Sequence, residues 1–188
     1  MNINIGVSAR HVHLSKEDLE ILFGEDYELI KKVDLSQPGQ YACNEQVTLK
    51  GPKNSIERVR ILAPLRNETQ VEISRTDSFT LGIKPPVRNS GDLDGAAPIT
   101  IVGPKGEVTK NAAIIAARHI HATKEDAKKY GFEGKKTVSL KLNGEKSGII
   151  NNVYVRIDDS YFFEAHIDTD DANAFLINNN DQAELIIW

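Results

Sequence analysis

The length, charge and composition of the chain exclude several classes of protein. The chain has 188 residues, 40% hydrophobic and 27% charged, which is typical of a soluble globular protein with one domain or two small ones. A formal net charge of -4 gives no global basic field, which argues against a nucleic-acid partner. The single cysteine, Cys43, excludes an intrachain disulfide and fits a reducing compartment. No signal peptide and no apolar run of roughly 18 residues is found, so we expect a cytoplasmic protein without a membrane partner.

The chain opens with a strand and a helix that meet at a pair of histidines. The pattern predicts a strand over residues 3–13 and a helix that begins after Ser15, a good N-cap, and ends at Gly24. His11 and His13 are two residues apart on the strand, so both side chains point to one face. Such a pair is half of a metal site.

Short strands with turns between them are predicted next. Alternating segments between residues 33 and 74 indicate strands, and the Pro- and Gly-rich segment 85–95 indicates a loop. We therefore expect a first β-rich half at 1–92 and a second at 93–188, with a soft boundary across which strands may be exchanged. Residues 99–105 resemble residues 47–53, which suggests a strand-and-turn unit used twice.

The second half repeats the design of the first. Its Arg118-His119-Ile120-His121 repeats Arg10-His11-Val12-His13, and a second short helix is predicted from the Thr123 cap to Gly131. In an alignment of the later strands of the two halves, Glu72 is opposite His166. Each half then offers three possible ligands of a divalent ion, with zinc, cobalt or manganese all compatible: His11, His13 and Glu72 in the first, and His119, His121 and His166 in the second.

The pattern is also compatible with other interpretations. A duplicated strand with structural histidines would need no metal. A cupin site would use Glu17, but the predicted helix turns that side chain away from the strand face, and the whole pattern recurs with Glu125. A Walker loop, a dinucleotide-binding glycine motif and a hydrolase nucleophile elbow are all absent from the sequence.

Five segments together resemble the PduL-type phosphotransacylases (phosphate propanoyltransferases) over nearly the whole chain. They are residues 8–15, 37–40, 64–72, 88–91 and 117–121. The resemblance implies a mainly β fold with short capping helices, built as two pseudo-symmetric β-barrel domains with a dizinc site at their junction. It implies that the two triads given above bind the metals and that Arg66 binds phosphate. It places Ser8, Gln40 and Ser90 in segments near the substrates.

The implied activity is that of a phosphate acyltransferase, which interconverts acetyl- or propanoyl-CoA plus phosphate with acyl phosphate plus CoA. Its partners would be these small molecules, and a homo-oligomer is compatible with the sequence. Compartment-targeted members carry an N-terminal extension that this chain nearly lacks, which again predicts a cytoplasmic location. A dimetal hydrolase, either a thioesterase or a phosphatase, could use the same ligands, and a non-enzymatic metal-dependent binding protein stays open as a third class. Arg66 and dependence on phosphate distinguish the three.

Overall fold

A computed structural model describes all 188 residues of the chain. The fold is mainly β with short helices, as expected. The first strands and helices are β1 Asn2–Ser8, β2 His11–His13, α1 Lys16–Phe23, β3 Lys31–Asp34, β4 Tyr41–Lys50, β5 Ser55–Ala63, β6 Gln70–Glu72, α2 Arg75–Leu81 and β7 Val87–Arg88. The remaining ones are β8 Ala97–Val102, β9 Glu107–Ala116, β10 His119–Ala122, α3 Lys124–Tyr130, β11 Thr137–Leu142, β12 Gly148–Ile157, β13 Glu164–Asp168, α4 Thr169–Phe175 and β14 Gln182–Ile186.

The chain forms two compact units, each built around a closed six-stranded barrel. The first unit comprises Arg10–Leu35 and Gly39–Ala116, and its barrel closes because β8 pairs with both β4 and β9. The second unit comprises Met1–Ala9, Ser36–Pro38 and Ala117–Trp188, and its strand order is β1-β13-β10-β12-β11-β14. A cut between residues 92 and 93 would separate β8 and β9 from the barrel that they close.

The predicted single strand over residues 3–13 is two strands that join different barrels. β1 pairs with β13 and β14, whereas β2 pairs with β5 and β6. The expectation of one strand was wrong because strand partners come from distant parts of the chain, which residue alternation does not reveal. The break at Ala9 and Arg10 allows the N-terminal strand to contribute to the second unit.

Both predicted helices are confirmed at their caps, and two further helices appear. The side chain of Ser15 accepts a hydrogen bond from the N–H of Asp18 at the start of α1, and Thr123 caps α3 in the same way. The helices α2 and α4 each have seven residues, too few for an apolar stripe to stand out in the sequence. None of the four helices is long and apolar enough to cross a membrane.

The two similar strand-and-turn segments have equivalent roles in the first barrel. Residues 47–53 and 99–105 include parts of β4 and β8, which pair antiparallel with each other. The turn after each strand covers the end of a helix, because a backbone N–H of the turn donates to a carbonyl of that helix. The N–H of Lys53 donates to the carbonyl of Leu81 in α2 at 3.1 Å, and the N–H of Lys105 donates to the carbonyl of Leu22 in α1 at 3.0 Å. The sequence repeat therefore reflects two helix ends that need the same cover.

Gly103→Ala should destabilise the protein at this helix end. A Cβ at position 103 would lie 2.5 Å from the carbonyl oxygen of Leu22, a backbone atom that cannot move without the helix. Overpacking of this kind costs about 1–3 kcal/mol, which urea unfolding followed by circular dichroism would measure. Lys105→Ala is the control, since its side chain is exposed and the substitution keeps the N–H. Equal stability of the Gly103 variant and wild type would contradict the close approach.

Candidate active site

The three predicted ligands of the first half come together in the first unit. β2 carries His11 and His13, and it pairs antiparallel with β6 so that His11 stands opposite Glu72. One ligand atom from each residue lies within 4.8 Å of the others, and His11 Nε2 is 3.5 Å from Glu72 Oε2. All three side chains are buried. We call these residues the first triad.

The electrostatics of the first triad favour a cation. Burial, with the neighbouring His11, lowers the pKa of His13 to about 3, so its imidazole is neutral at pH 7. Burial alone would raise the pKa of Glu72, but the charge and hydrogen bond of His11 hold it well below its ordinary value. His13 Nδ1 is buried without a hydrogen-bond partner. A neutral imidazole, an ionised carboxylate and an unsatisfied buried nitrogen are what a divalent ion requires.

The second unit holds a matching group, which we call the second triad. β10 carries His119 and His121, and its antiparallel pairing with β13 sets His119 opposite His166. Ligand atoms from the three residues again lie within 4.8 Å of one another. His119 Nδ1 donates to the carbonyl of Ala117 at 2.8 Å, so the lone pair of this imidazole is on Nε2.

His121 is the residue of the second triad whose hydrogen-bonding groups are least satisfied. Both of its ring nitrogens are buried without a hydrogen-bond partner. Burial, together with the nearby His119 and His166, lowers the pKa of His121 to about 2, which keeps the imidazole neutral. Leaving two such atoms unsatisfied costs free energy, and coordination of an ion by one of them would recover part of it. The residues of both triads therefore fit a divalent metal.

Arg66 is joined to the first triad through a serine. Its guanidinium donates to Ser90 Oγ at 2.9 Å, and Ser90 donates in turn to Glu72 Oε1 at 2.7 Å. Gln70 completes this group, since its Nε2 donates to Glu72 at 2.6 Å and its Oε1 accepts from the N–H of Gly91 at 2.7 Å. A cleft of about 420 Å³ lies beside this group. It is lined by Arg66, Asn67, Glu68, Gln70, Gly91 and Leu93.

The other two residues that the resemblance associates with substrate are described by their local backbone pairing. Ser8 is at the end of β1 in the second unit, opposite Asp168 of β13. Gln40 is in the first unit, where its carbonyl accepts from the N–H of Leu35 at 3.0 Å. Of the three serine and glutamine residues predicted near the substrates, Ser90 is linked directly to Arg66 and Glu72 by hydrogen bonds.

The second triad has a buried carboxylate beside it that sequence reasoning missed. Glu164 is 4% exposed, and its Oε2 lies 2.7 Å from His166 Nε2. Ser36 also donates to Glu164 Oε2. Burial alone would raise the pKa of Glu164, but the hydrogen bonds from His166 and Ser36 hold it below its ordinary value. The available signal was spacing, because Glu164 precedes His166 by two residues, as Gln70 precedes Glu72, on the same strand face.

The arginine of each repeated motif anchors a helix. Arg10 Nη2 lies 2.7 Å from Asp77, and Arg118 Nη2 lies 3.0 Å from Asp171. Each aspartate is the third residue of the helix that follows the strand with the third ligand. Arg10 and Arg118 therefore tie that strand and helix to the His-x-His strand, which explains why the arginine recurs with the histidines.

Cys43 is not available as a nucleophile. Its side chain is fully buried, and burial raises the pKa of the thiol to about 11. The reactive thiolate is therefore scarce at neutral pH, and a substrate has no access to it.

Comparison with known proteins identifies the family. Residues 4–178 match the sequence profile of phosphate propanoyltransferase. The chain is 52% identical over 186 residues to a phosphate propanoyltransferase of Thermotoga maritima, an alignment of 98% of this chain and 89% of the relative. It is 51% identical over 187 residues to that of Priestia megaterium, covering 99% and 86%, and 50% identical over 179 residues to that of Rhodobacter capsulatus, covering 95% and 83%. The resemblance noted in the sequence is confirmed: the chain belongs to the phosphate propanoyltransferase family and is a phosphate acyltransferase.

Proposed function

We propose that the protein interconverts acetyl- or propanoyl-CoA plus phosphate with the acyl phosphate plus CoA, using two divalent ions, one in each triad. The observation that carries the proposal is the connection of Arg66 through Ser90 to Glu72. This connection places the guanidinium of Arg66, which is always positively charged, beside side chains that can bind a metal. The names of the relatives support the acyl and phosphate substrates.

The ligand types support zinc as the ion. His11, His13 and Glu72 form a set of two imidazoles and a carboxylate, and the second triad is a set of three imidazoles. Three protein ligands with an open position are typical of catalytic zinc, although cobalt and manganese also accept such donors. A bound ion supplies an electrophile that polarises the thioester carbonyl and stabilises the departing thiolate.

Arg66 supplies the phosphate site in this proposal. A guanidinium binds two phosphate oxygens at once through its planar fork, which orients the phosphate and offsets its negative charge. Ser90 fixes the orientation of the guanidinium by accepting one of its hydrogen bonds. A phosphate oxygen then forms the bond to the acyl carbon, the carbon–sulfur bond breaks, and the CoA thiolate leaves. No protein nucleophile is needed, in agreement with the burial of Cys43.

Dependence on phosphate tests the proposal. We expect metal-loaded protein to release CoA from acetyl-CoA or propanoyl-CoA in proportion to phosphate until saturation, with acyl phosphate detected as its hydroxamate. Free thiol measured without phosphate should be negligible, because water lacks the charge that Arg66 binds. Equally fast thiol release without phosphate would instead identify a thioesterase.

We also propose the cytoplasm as the location, supported by the free thiol of Cys43.

A further inference from the structure

Glu164 is a buried carboxylate to which the proposed reaction assigns no role. It lies on β13, two residues before His166, and β13 stands between β1 and β10 in the barrel of the second unit. Its Oε2 is 2.7 Å from His166 Nε2. Because a carboxylate carries no proton to give, a neutral imidazole in this contact has its N–H on Nε2 and its lone pair on Nδ1.

The packing of the His166 ring agrees with this tautomer. A Cβ added to Gly6, the register partner of His166 on β1, would lie 3.1 Å from Cδ2 and 3.2 Å from Nε2 of the ring. The Cδ2–Nε2 edge therefore faces β1. β10, which carries His119 and His121, pairs with β13 on its other side, and the rings of His119 and His121 lie 5.2 and 4.8 Å from that of His166, measured between centroids. Gly6 thus provides the space in which the Nε2 edge meets Glu164.

The equivalent position in the first unit shows why a carboxylate belongs there. Gln70 precedes Glu72 by two residues and donates to it, as Glu164 precedes His166 and accepts from it. In the first unit the ligand, Glu72, is anionic and its partner, Gln70, is neutral. In the second unit the ligand, His166, is neutral and its partner, Glu164, is anionic. Each triad, taken together with its partner residue, therefore has one negative charge to offset the charge of a divalent ion.

We propose that Glu164 is the positioning residue of the second metal site, holding His166 with its N–H on Nε2 so that Nδ1 coordinates the ion. This inference rests on the proposed binding of metal by the second triad. A carboxylate behind a coordinating imidazole makes the imidazole a stronger ligand, and loss of such a partner typically weakens metal affinity by about 10–100-fold. Ser36, which also donates to Glu164, fixes the carboxylate from a second direction.

The test measures metal affinity at one site at a time. His11→Ala disables the first triad, and His119→Ala disables the second, so each background retains a single site for zinc. We expect Glu164→Gln to weaken zinc binding about 10–100-fold in the His11→Ala background and to leave it unchanged in the His119→Ala background. Competition with a chromophoric chelator measures both affinities. Glu133→Gln, which removes an exposed carboxylate of the same unit, is the control.

Several outcomes would overturn the inference. Unchanged affinity in the His11→Ala background, or equal weakening in both backgrounds, excludes a role of Glu164 specific to the second site. Zinc binding in neither background would refute the proposed metal sites themselves. Nitrogen-15 NMR of the wild-type protein gives a second measurement that needs no variant. The metal-free protein should show the proton of His166 on Nε2, and added zinc should shift the Nδ1 resonance, whereas a shift of Nε2 instead would refute the assignment.

Discussion

Replacing Arg66 by alanine should weaken the apparent affinity for phosphate by about 2 kcal/mol or more, which corresponds to roughly thirtyfold. The substitution removes a charge-assisted contact while Glu72 keeps its hydrogen bonds from Ser90 and Gln70. Metal content should therefore stay the same. The dependence of the initial rate of thiol release on phosphate concentration measures the effect.

Two further variants define the role of the Arg66 guanidinium. Arg66→Lys should recover only part of the loss, because an ammonium restores the charge but not the planar fork. Arg75→Ala removes an exposed arginine of α2 and is the matched control, for which we expect wild-type phosphate saturation. Unchanged phosphate saturation in Arg66→Ala would contradict the proposed phosphate site.

Metal analysis should find close to two divalent ions per chain, and one substitution in either triad should remove one of them. His13→Ala takes away a buried imidazole whose Nδ1 has no hydrogen-bond partner, and His121→Ala does the same in the other unit. Each should lower kcat by about 100-fold or more, since a charge that stabilises the transition state is lost. Atomic absorption and steady-state kinetics measure the two effects.

The two histidine variants serve as controls for each other, because the five histidines of the chain all lie in the two triads. Far-UV circular dichroism should show that both variants remain folded, since each barrel keeps its own apolar core. A single ion that is lost in His166→Ala but retained in His13→Ala would refute binding by the first triad.

The helix boundaries and the paired histidines could be predicted from the sequence because both depend on local geometry. The side chain of Ser15 caps the N–H three residues later, and alternation along a strand directs His11 and His13 to one face. The repeat around residue 118 then showed that the arrangement occurs twice, which pointed to a third ligand at an equivalent position in each half. These signals lie within a few residues of one another.

The tertiary structure alone decided which distant segments meet. The break at Ala9 and Arg10 assigns β1 to the second unit, because hydrogen-bonded partners 160 or more residues away fix its place, including the pairing of Gly6 with His166. The turn residue Ser36 likewise reaches Glu164 across 128 positions of sequence. In the sequence, nothing distinguishes the carboxylate at position 164 from that of another strand residue. Only the folded structure shows that it is buried against an imidazole. The sequence by itself determined the ligand types and their spacing, and long-range pairing determined the residues that orient them.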